Sequence, residues 1–555
     1  MPSAGKFLSA ADWAVIAAYL LGVIALGVWF GKDQRNTRDY FLGSKNVPWW
    51  GIGLSIVAAE TSALTIIGVP AMAYGENFMF IQMIIGYVIA RVILAVVMVP
   101  HYFKGEIYSP YQLFANSFGS AARQAAGGMF LLSETLAAGV RVYVASIPVQ
   151  LMLGKKTLGA ITVLPWMLWR AIKGEGLPPE VSGDPILGAI ILFILLSLVY
   201  TYIGGVKAVI WTDAVQFGLF LAGGVFTIIY IPVLMEGGAA GVLKEASAGG
   251  KLAWLNTNWA VAEKAGLGEF IRACLAKPFN LWMGIIGGTV MVMSSHGAEQ
   301  LIVQRVLTCK SVADGRKALI LSAVLIFPLF FIFLMAGVML WVYYQHHALA
   351  IPLPEARPGI QANDFIFPIF MVTEAPPWLR GFLIVAILSA AMSSVSSALT
   401  SLASVSTMDF LRHVVREKAE EFYLRFSKYS TVLWAAALIL VAYLSRQVAF
   451  VLNMAFSLRG LTSGALLGGL LLAVFWKRGR AIPVIAGMAV ALATMTAIQA
   501  LPKLAWSKGL WQRLVGVEVF WPWYTLIGAV VTLAVAWLLG RLLRVRPTQI
   551  DKCSS

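Results

Sequence analysis

One stretch constrains this chain more than any other: Leu383 to Asp409, LIVAILSAAMSSVSSALTSLASVSTMD. It is apolar enough to lie in a membrane, yet it is dense in hydroxyls. On a helical wheel at about 100° per residue, Ser389, Ser393, Ser394, Ser396, Ser397, Thr400, Ser401 and Ser404 share one side. Met392, Val395, Leu399 and Leu402 share the other. Lipid offers a hydroxyl no partner, so the polar side must look at protein or at a water-filled cavity. Two readings fit. Small hydroxylated residues let helices approach closely and hydrogen-bond across the contact. Alternatively, clustered uncharged oxygens suit a hard monovalent cation such as Na⁺ better than Ca²⁺.

Composition places the stretch in context. Of 555 residues, 59% are hydrophobic and 12% charged, with a mean hydropathy of +0.81. A soluble domain carries about twice that charged share, so this is a polytopic membrane protein. The net charge of +16 is read as loop charge of a membrane protein, which excludes nucleic acid as a partner. Cys274, Cys309 and Cys553 have no metal-type spacing and suggest no disulfide framework. Asp12 to Phe30 is long enough to span and runs into Gly31-Lys32-Asp33 without a cleavage site, so it reads as a first span rather than a signal peptide.

At about 20 apolar residues per crossing, thirteen spans are expected, near 12–30, 50–74, 78–100, 126–153, 186–204, 206–235, 274–296, 317–343, 379–405, 426–445, 450–476, 481–500 and 520–540. The fifth and sixth meet at a tight turn at Gly204-Gly205. Basic residues then cluster on one side: Lys32, Arg35, Arg38 and Lys45; Arg305, Lys310, Arg316 and Lys317; Arg412, Arg416, Lys418, Arg425 and Lys428; Lys477, Arg478 and Arg480; Arg541, Arg544 and Arg546. That side is the cytoplasm by the positive-inside rule, which puts the N-terminus outside and the C-terminus inside. The longer opposite segments are 154–185, 236–271 and 344–378. The apolar patch Ile161 to Ile172 is too short to span and reads as an interfacial or surface helix. One membrane domain over 1–546 is expected, with a short cytoplasmic tail at 547–555 and no soluble module.

Polar residues interrupt several spans. Glu60, Thr61, Ser62 and Thr65, followed by Gly68 and Pro70, suggest a discontinuous second span whose freed carbonyls face a cavity; a Pro-kinked packing helix is the simpler alternative. Glu60 is open to three roles: proton carrier, substrate contact, or carboxylate tied up by a neighbouring helix. Glu134 and Arg141 lie two turns apart on one face, either as an internal ion pair or with Arg141 free to meet a carboxylate. Asp213 either snorkels, pairs with Lys207, or supplies charge to a cation site. Ser294, Ser295, His296, Gly297 and Glu299 break the seventh span as residues 60–65 break the second. Spans two to six and seven to eleven would then be inverted repeats, about 49–235 and 272–476.

Four segments carry a family resemblance: DYFLGSKNVPWW at 39–50 leading into SIVAAETSA, GGVKAVIWTDAVQ at 204–216, VQRVLTCKS at 303–311 and SAAMSSVSSALTSLASVSTMD at 389–409. With them the chain resembles the sodium:solute symporter family over essentially its whole length. The resemblance implies an all-α, leucine-transporter-like bundle of five plus five inverted-repeat helices, with one extra N-terminal and two extra C-terminal helices. It implies a sodium site of the backbone carbonyls of Ala58, Thr61 and Ala390 with the hydroxyls of Ser393 and Ser394. It also implies a second site from Asp213, Ser393, Ser396 and Ser397. Sugar-transporting members carry a glutamine at the position of Thr65, an asparagine near Val292 and aromatics near Ser295 and His296. None is present, so the resemblance does not extend to a hexose. Carboxylate-transporting relatives use an arginine on the helix of Arg141. Glu60, Thr65, Gln82, Arg141 and His296 are the candidate solute contacts.

The function expected is sodium-coupled uptake of a small polar organic solute (a carboxylate, sugar-like or amino-acid-like) by alternating access, with two Na⁺ per cycle, across the inner (plasma) membrane. Its partners are the solute, Na⁺ and the bilayer, with no obligate protein partner. Proton coupling through Glu60 or Asp213, and a solute sensor on the same fold, are the rivals. No nucleophile–base pair, phosphate loop or metal cluster suggests an enzyme.

Overall fold

The computed structural model describes residues 8–31, 36–62, 64–105, 107–153, 155–173, 183–353, 355–357, 360–361, 363–415, 418–447, 451–476 and 479–543. Helix α1 (Ala10–Gly31) is followed by the short α2 (Thr37–Leu42). Asn36 starts α2 by accepting from the Asp39 amide at 2.8 Å, and Gly43 stops it at φ 55°. Helix α3 (Trp49–Glu60) ends where Thr61 turns extended at ψ 99°. A π turn, Leu64–Gly68, leads into α4 (Val69–Gly75), whose Pro70 sits in the first turn where no amide is needed. The two arms bend by 58°. Next come α5 (Ile81–Ile93), a π turn at Leu94–Met98, α6 (Val99–Tyr102), α7 (Tyr111–Phe118), α8 (Ser120–Met152) and α9 (Lys155–Ile172).

Helix α10 (Pro185–Val233) starts sharply: Asp184 accepts from the amides of Ile186 and Leu187, and Pro185 occupies the first helical position. Its 49 residues are two arms, because Gly205 stands at φ 54°, ψ −161°, a conformation that only glycine adopts without strain. Then follow α11 (Gly238–Ala248), α12 (Trp259–Leu275), a π turn at Met283–Gly288, α13 (Thr289–Gly297), α14 (Gln300–Leu307) and α15 (Val312–His346). A small antiparallel pair, β1 (Glu355–Arg357) and β2 (Ile360–Gln361), precedes α16 (Ile366–Thr373). The remainder is α17 (Leu379–Val405), a π turn at Ser406–Leu411, α18 (Arg412–Val414), α19 (Glu420–Leu444), α20 (Val451–Phe475), α21 (Ala481–Ala500), α22 (Lys508–Leu514) and α23 (Tyr524–Leu542).

Among the described residues, the all-α expectation is amended by the small β1–β2 pair. Among the described residues, ten helices are long and apolar enough to cross a membrane, or eleven with the bent α3–α4 pair. This falls below the expected thirteen because the two arms of α10 abut at the Gly205 kink and count as one helix, and because α13 holds only nine residues beyond its π turn. The segments 236–271 and 344–378 are not plain loops: they fold as α11 and α12, and as the hairpin with α16. Helix α9 packs on α10 while Trp166 and Trp169 stay exposed, with Arg170 and Lys173 over their rings. Lys32, Arg35, Arg416, Lys477, Arg478, Arg544, Arg546 and Cys553, and the tail 547–555, lie outside the described residues.

Helix α17 is the hub. Helices α1, α3, α8, α10 and α19 all pack against it, so its most apolar window is 94% buried. Its apolar side therefore faces protein too: Tyr200 donates to the Met392 carbonyl at 3.0 Å. Close crossings rely on glycine where backbones meet. A β-carbon on Gly86 of α5 would collide with the Gly284 carbonyl in the π turn before α13.

Candidate functional site

Between α3 and α4 the helix opens at Thr61 and Ser62. The Ser62 carbonyl still accepts from the Thr65 and Ile66 amides at 2.8 and 3.2 Å, whereas among the described residues no amide donates to the Thr61 carbonyl, which leaves an acceptor at the middle of a buried span. The Thr61 hydroxyl is fully buried and has no hydrogen-bond partner among the described residues. Buried polar atoms are nearly always satisfied, so such an orphan calls for a ligand or a water. Helix α17 packs on α3 and on the π turn beyond the break. Along it, Ser394 donates to the carbonyls of Ala390 (3.2 Å) and Ala391 (3.0 Å), which commits its proton and leaves oxygen lone pairs available. Ala58 and Ala390 are wholly buried. This region offers neutral oxygens alone.

One turn along, the chemistry changes sign. Asp213 on α10 is fully buried; it accepts from Ser393 at 2.6 Å and from Ser55 of α3 at 2.5 Å. Its counter-charge is Arg305 of α14, whose Nη2 lies 2.9 Å from the carboxylate and also donates to Ser397. The guanidinium further donates through Nε to Ser55 (2.8 Å) and through Nη1 to the Leu301 carbonyl (2.6 Å). Ser396 and Ser397 each donate to the Ser393 carbonyl, at 3.0 and 2.6 Å. One expectation is corrected here, and one of the alternatives open for Asp213 is set aside. Arg305 is not a cytoplasmic loop charge, because α14 buries it with 2% exposure. Nor does Lys207 partner Asp213. The aspartate is held by four helices at once: α3, α10, α14 and α17.

A cavity lies beside the α3 break, bounded by α3, α5, α8, α13, α14, α15 and α20 together with Trp521 and Thr525. It holds about 70 Å³ of room for water centres. Glu60, Thr65, Arg141 and His296 all line it. Gln82 does not: fully buried, it donates to the Met79 carbonyl (3.1 Å) and accepts from the Asn256 amide (3.0 Å), tying α5 to the segment before α12. Glu134 and Arg141 form an ion pair at 2.7 Å, with Arg141 nevertheless reaching the cavity. Glu60 pairs with Arg91 of α5, which is itself fully buried and also bonds Ser322 at 3.2 Å. Arg91 contacts His296 Nε2 at 3.1 Å. A guanidinium can only donate, so Nε2 accepts, and the imidazole is neutral with its proton on Nδ1 toward Ser295 Oγ at 2.9 Å. His296 Nε2 is also 3.5 Å from Glu60, but with that nitrogen unprotonated this is proximity and not an ion pair.

Sequence reasoning missed Arg91 and Arg459, read Glu299 only as part of the break in the seventh span, and read Arg305 only as a loop charge. Glu299 and Arg459 form a two-pronged pair, Nε to Oε1 at 3.0 Å and Nη2 to Oε2. A signal was available: Arg91 and Arg459 each sit alone inside an expected span, where an unpaired charge is costly. Each demanded a carboxylate, and Glu60 and Glu299 were the buried candidates. The aromatic walls, Tyr87, Phe330, Phe456 and Trp521, left no such signal among so many membrane aromatics.

Comparison with known proteins agrees with this layout. The profile described as the sodium:solute symporter family matches residues 40–169 and 179–491. The sodium/sialic acid symporter SiaT of Proteus mirabilis is 28% identical over 498 residues, covering 88% of this chain and 89% of that protein. Human sodium-coupled monocarboxylate transporter 1 is 26% identical over 502 residues, 89% of this chain and 74% of its own. Among solved structures, a substrate-bound, outward-open Na⁺-coupled sialic acid symporter superimposes with a TM-score of 0.76 at 24% identity, over 96% of this chain and 98% of that one. That likeness establishes the fold.

Proposed function

The chain belongs to the sodium:solute symporter family, and on that footing we propose that it imports a small polar organic solute together with Na⁺ by alternating access. It is a multi-pass membrane transporter and not an enzyme. In this reading Na⁺ bridges the α3–α4 break to α17, using the carbonyls of Ala58, Thr61 and Ala390 and the hydroxyls of Ser393 and Ser394. The observation that carries it is the Thr61 hydroxyl, unpartnered among the described residues, at a helix break whose two arms pack on a serine-rich helix. An ion that joins two elements favours the conformation in which they touch, and only such differential binding can drive transport. Each Na⁺ that crosses the field contributes about 2.3 kcal/mol per 100 mV before any concentration gradient.

A second Na⁺ is assigned to Asp213, Ser393, Ser396 and Ser397. That site shares its aspartate with Arg305, so the ion enters only as the guanidinium withdraws from Oδ2. The solute sits in the adjacent cavity against Glu60, Thr65, Arg141 and His296, with Gln82 bracing its outer wall through the Asn256 segment. The membrane layout is thirteen spans: the two arms of α10 cross separately, as do the bent α3–α4 pair and the segment ending in α13. Residues 49–235 and 272–476 are the two inverted repeats of one domain spanning 1–546, set in the inner membrane with the N-terminus outside and the C-terminus in the cytoplasm.

Thermal stability of the purified protein in Na⁺, K⁺, Li⁺ and choline tests the reading, because a ligand that binds the folded state raises apparent stability. A Na⁺-specific rise, absent in Ser394→Ala, is expected. A folded protein equally stable in all four salts overturns it.

A further inference from the structure

Four charged side chains line the cavity, Glu60, Arg141, Glu299 and Arg459, and all but Glu299 are paired in a way that leaves one edge unused. Glu60 receives Arg91 on Oε2; its Oε1 accepts nothing from the described residues. Arg141 spends Nε on the Ala137 carbonyl (3.3 Å) and Nη2 on Glu134 (2.7 Å), leaving Nη1. Arg459 clasps both oxygens of Glu299 with Nε and Nη2, again leaving Nη1. The three residues that carry these spare edges all line the cavity: a carboxylate from the end of α3 and guanidiniums from α8 and α20.

The charges also cancel. Glu60 and Glu299 oppose Arg141 and Arg459 on the wall, Arg91 and Glu134 oppose each other behind it, and His296 is neutral. A solute of net charge finds no net counter-charge in the side chains of these walls, where the low dielectric makes an uncompensated ion expensive; the Na⁺ at the α3–α4 break offsets a negative solute only in part, since Glu60 lies between the two. A plain carboxylate satisfies the two Nη1 edges but brings its negative charge into the cavity that Glu60 lines. A plain amine satisfies Glu60 and faces the guanidiniums. A molecule with both groups meets opposite charge at each end and adds none. The cavity, about 70 Å³, suits a small solute and not a large one. Tyr87, Phe330, Phe456 and Trp521 supply an apolar wall for a short side chain, with Phe456 and Trp521 stacked at 4.6 Å between centroids.

We propose that the transported solute is a small zwitterion of the α-amino-acid type, its carboxylate on the Nη1 edges of Arg141 and Arg459 and its ammonium on Glu60. This rests on the Na⁺-symport reading above, and the test separates the two. Thermal stability is measured in Na⁺ and in choline with glycine, L-alanine, L-serine and L-proline, and with the single-charge analogues L-lactate and ethylamine. The expected result is a shift with at least one zwitterion, in Na⁺ only, and none with either analogue. Glu60→Gln, if folded, should weaken that zwitterion at least tenfold while the shift from Na⁺ alone survives. Stabilisation by Na⁺ with no response to any zwitterion, or a response to lactate equal to that of alanine, overturns the zwitterion assignment and leaves symport standing. Absence of any Na⁺ effect instead sinks the symport reading on which it rests.

Discussion

Arg305→Met isolates the charge logic of the buried core. In the wild-type protein Asp213 is fully buried and receives two hydroxyls and one guanidinium. Methionine retains much of the apolar stem's volume but leaves the carboxylate with Ser55 and Ser393 alone. Breaking a buried pair by removing one partner costs about 3–5 kcal/mol, because the stranded charge cannot be resolvated. The same change opens the oxygen cluster of Asp213, Ser393, Ser396 and Ser397 to a free cation. Na⁺ at about 100 times its dissociation constant would return about 2.7 kcal/mol. The variant should therefore be strongly destabilised in choline and should recover most of the loss in Na⁺, a larger Na⁺ response than wild type shows. Adding Asp213→Asn removes the stranded charge, so the double variant should be more stable than Arg305→Met in choline and lose the extra Na⁺ response. Denaturation midpoints of the detergent-purified proteins in both salts provide the assay. An Arg305→Met protein equally destabilised in Na⁺ and choline, and no better with Asp213→Asn, would refute the idea that guanidinium and Na⁺ compete for one aspartate.

Other consequences are simpler. Gly205→Ala places a β-carbon on a residue at φ 54°, ψ −161° and should cost about 1–3 kcal/mol, read as a lower unfolding temperature with Na⁺ selectivity unchanged. Glu299→Gln strands Arg459, which is 23% exposed toward the cavity, so the loss should be roughly 2–4 kcal/mol, below that of a sealed pair; Arg459→Met in the same chain should restore part of it. At Asp184, outside the spans, burial pushes the carboxyl up, but the Tyr443 hydroxyl, the Leu187 and Ile186 amides and Arg446 outweigh it and hold the group below its usual value. A depressed carboxylate stabilises the fold above its unfolded value of about 3.9 and loses that contribution as pH falls through the folded value. Asp184→Asn should thus weaken the protein at neutral pH and flatten that acid limb in pH-dependent unfolding.

How far the sequence could be read follows from which forces are local. The serine side of α17, the break at Thr61 and Ser62, and the Glu134–Arg141 spacing were visible because a polar residue in an apolar run is anomalous at short range. A backbone break at Gly204-Gly205 was visible for another local reason, since paired glycines tolerate conformations closed to other residues; the structure has it as a kink within α10. What stayed hidden was tertiary. Counting basic residues by loop put Arg305 in the cytoplasm, since nothing local reveals that α14 folds back into the core after the break at Glu299. Arg91 and Arg459 find their carboxylates on other helices, and linear order does not encode such pairings. The π turns at Leu64–Gly68 and Met283–Gly288 add one residue to a turn, a change that helical periodicity does not resolve. Helices α11 and α12 escaped because short amphipathic segments look like loops beside long apolar spans.

The central claim is that Na⁺ joins the α3–α4 break to the serine side of α17. Equilibrium binding of radiolabelled Na⁺ to purified protein, wild type beside Ser394→Ala, addresses it without knowledge of the solute. Saturable binding in the wild type, displaced by unlabelled Na⁺ but not by K⁺ or choline and lost or at least tenfold weaker in the variant, is the result predicted. Binding that is absent from the folded wild type, or unchanged in Ser394→Ala, would contradict it.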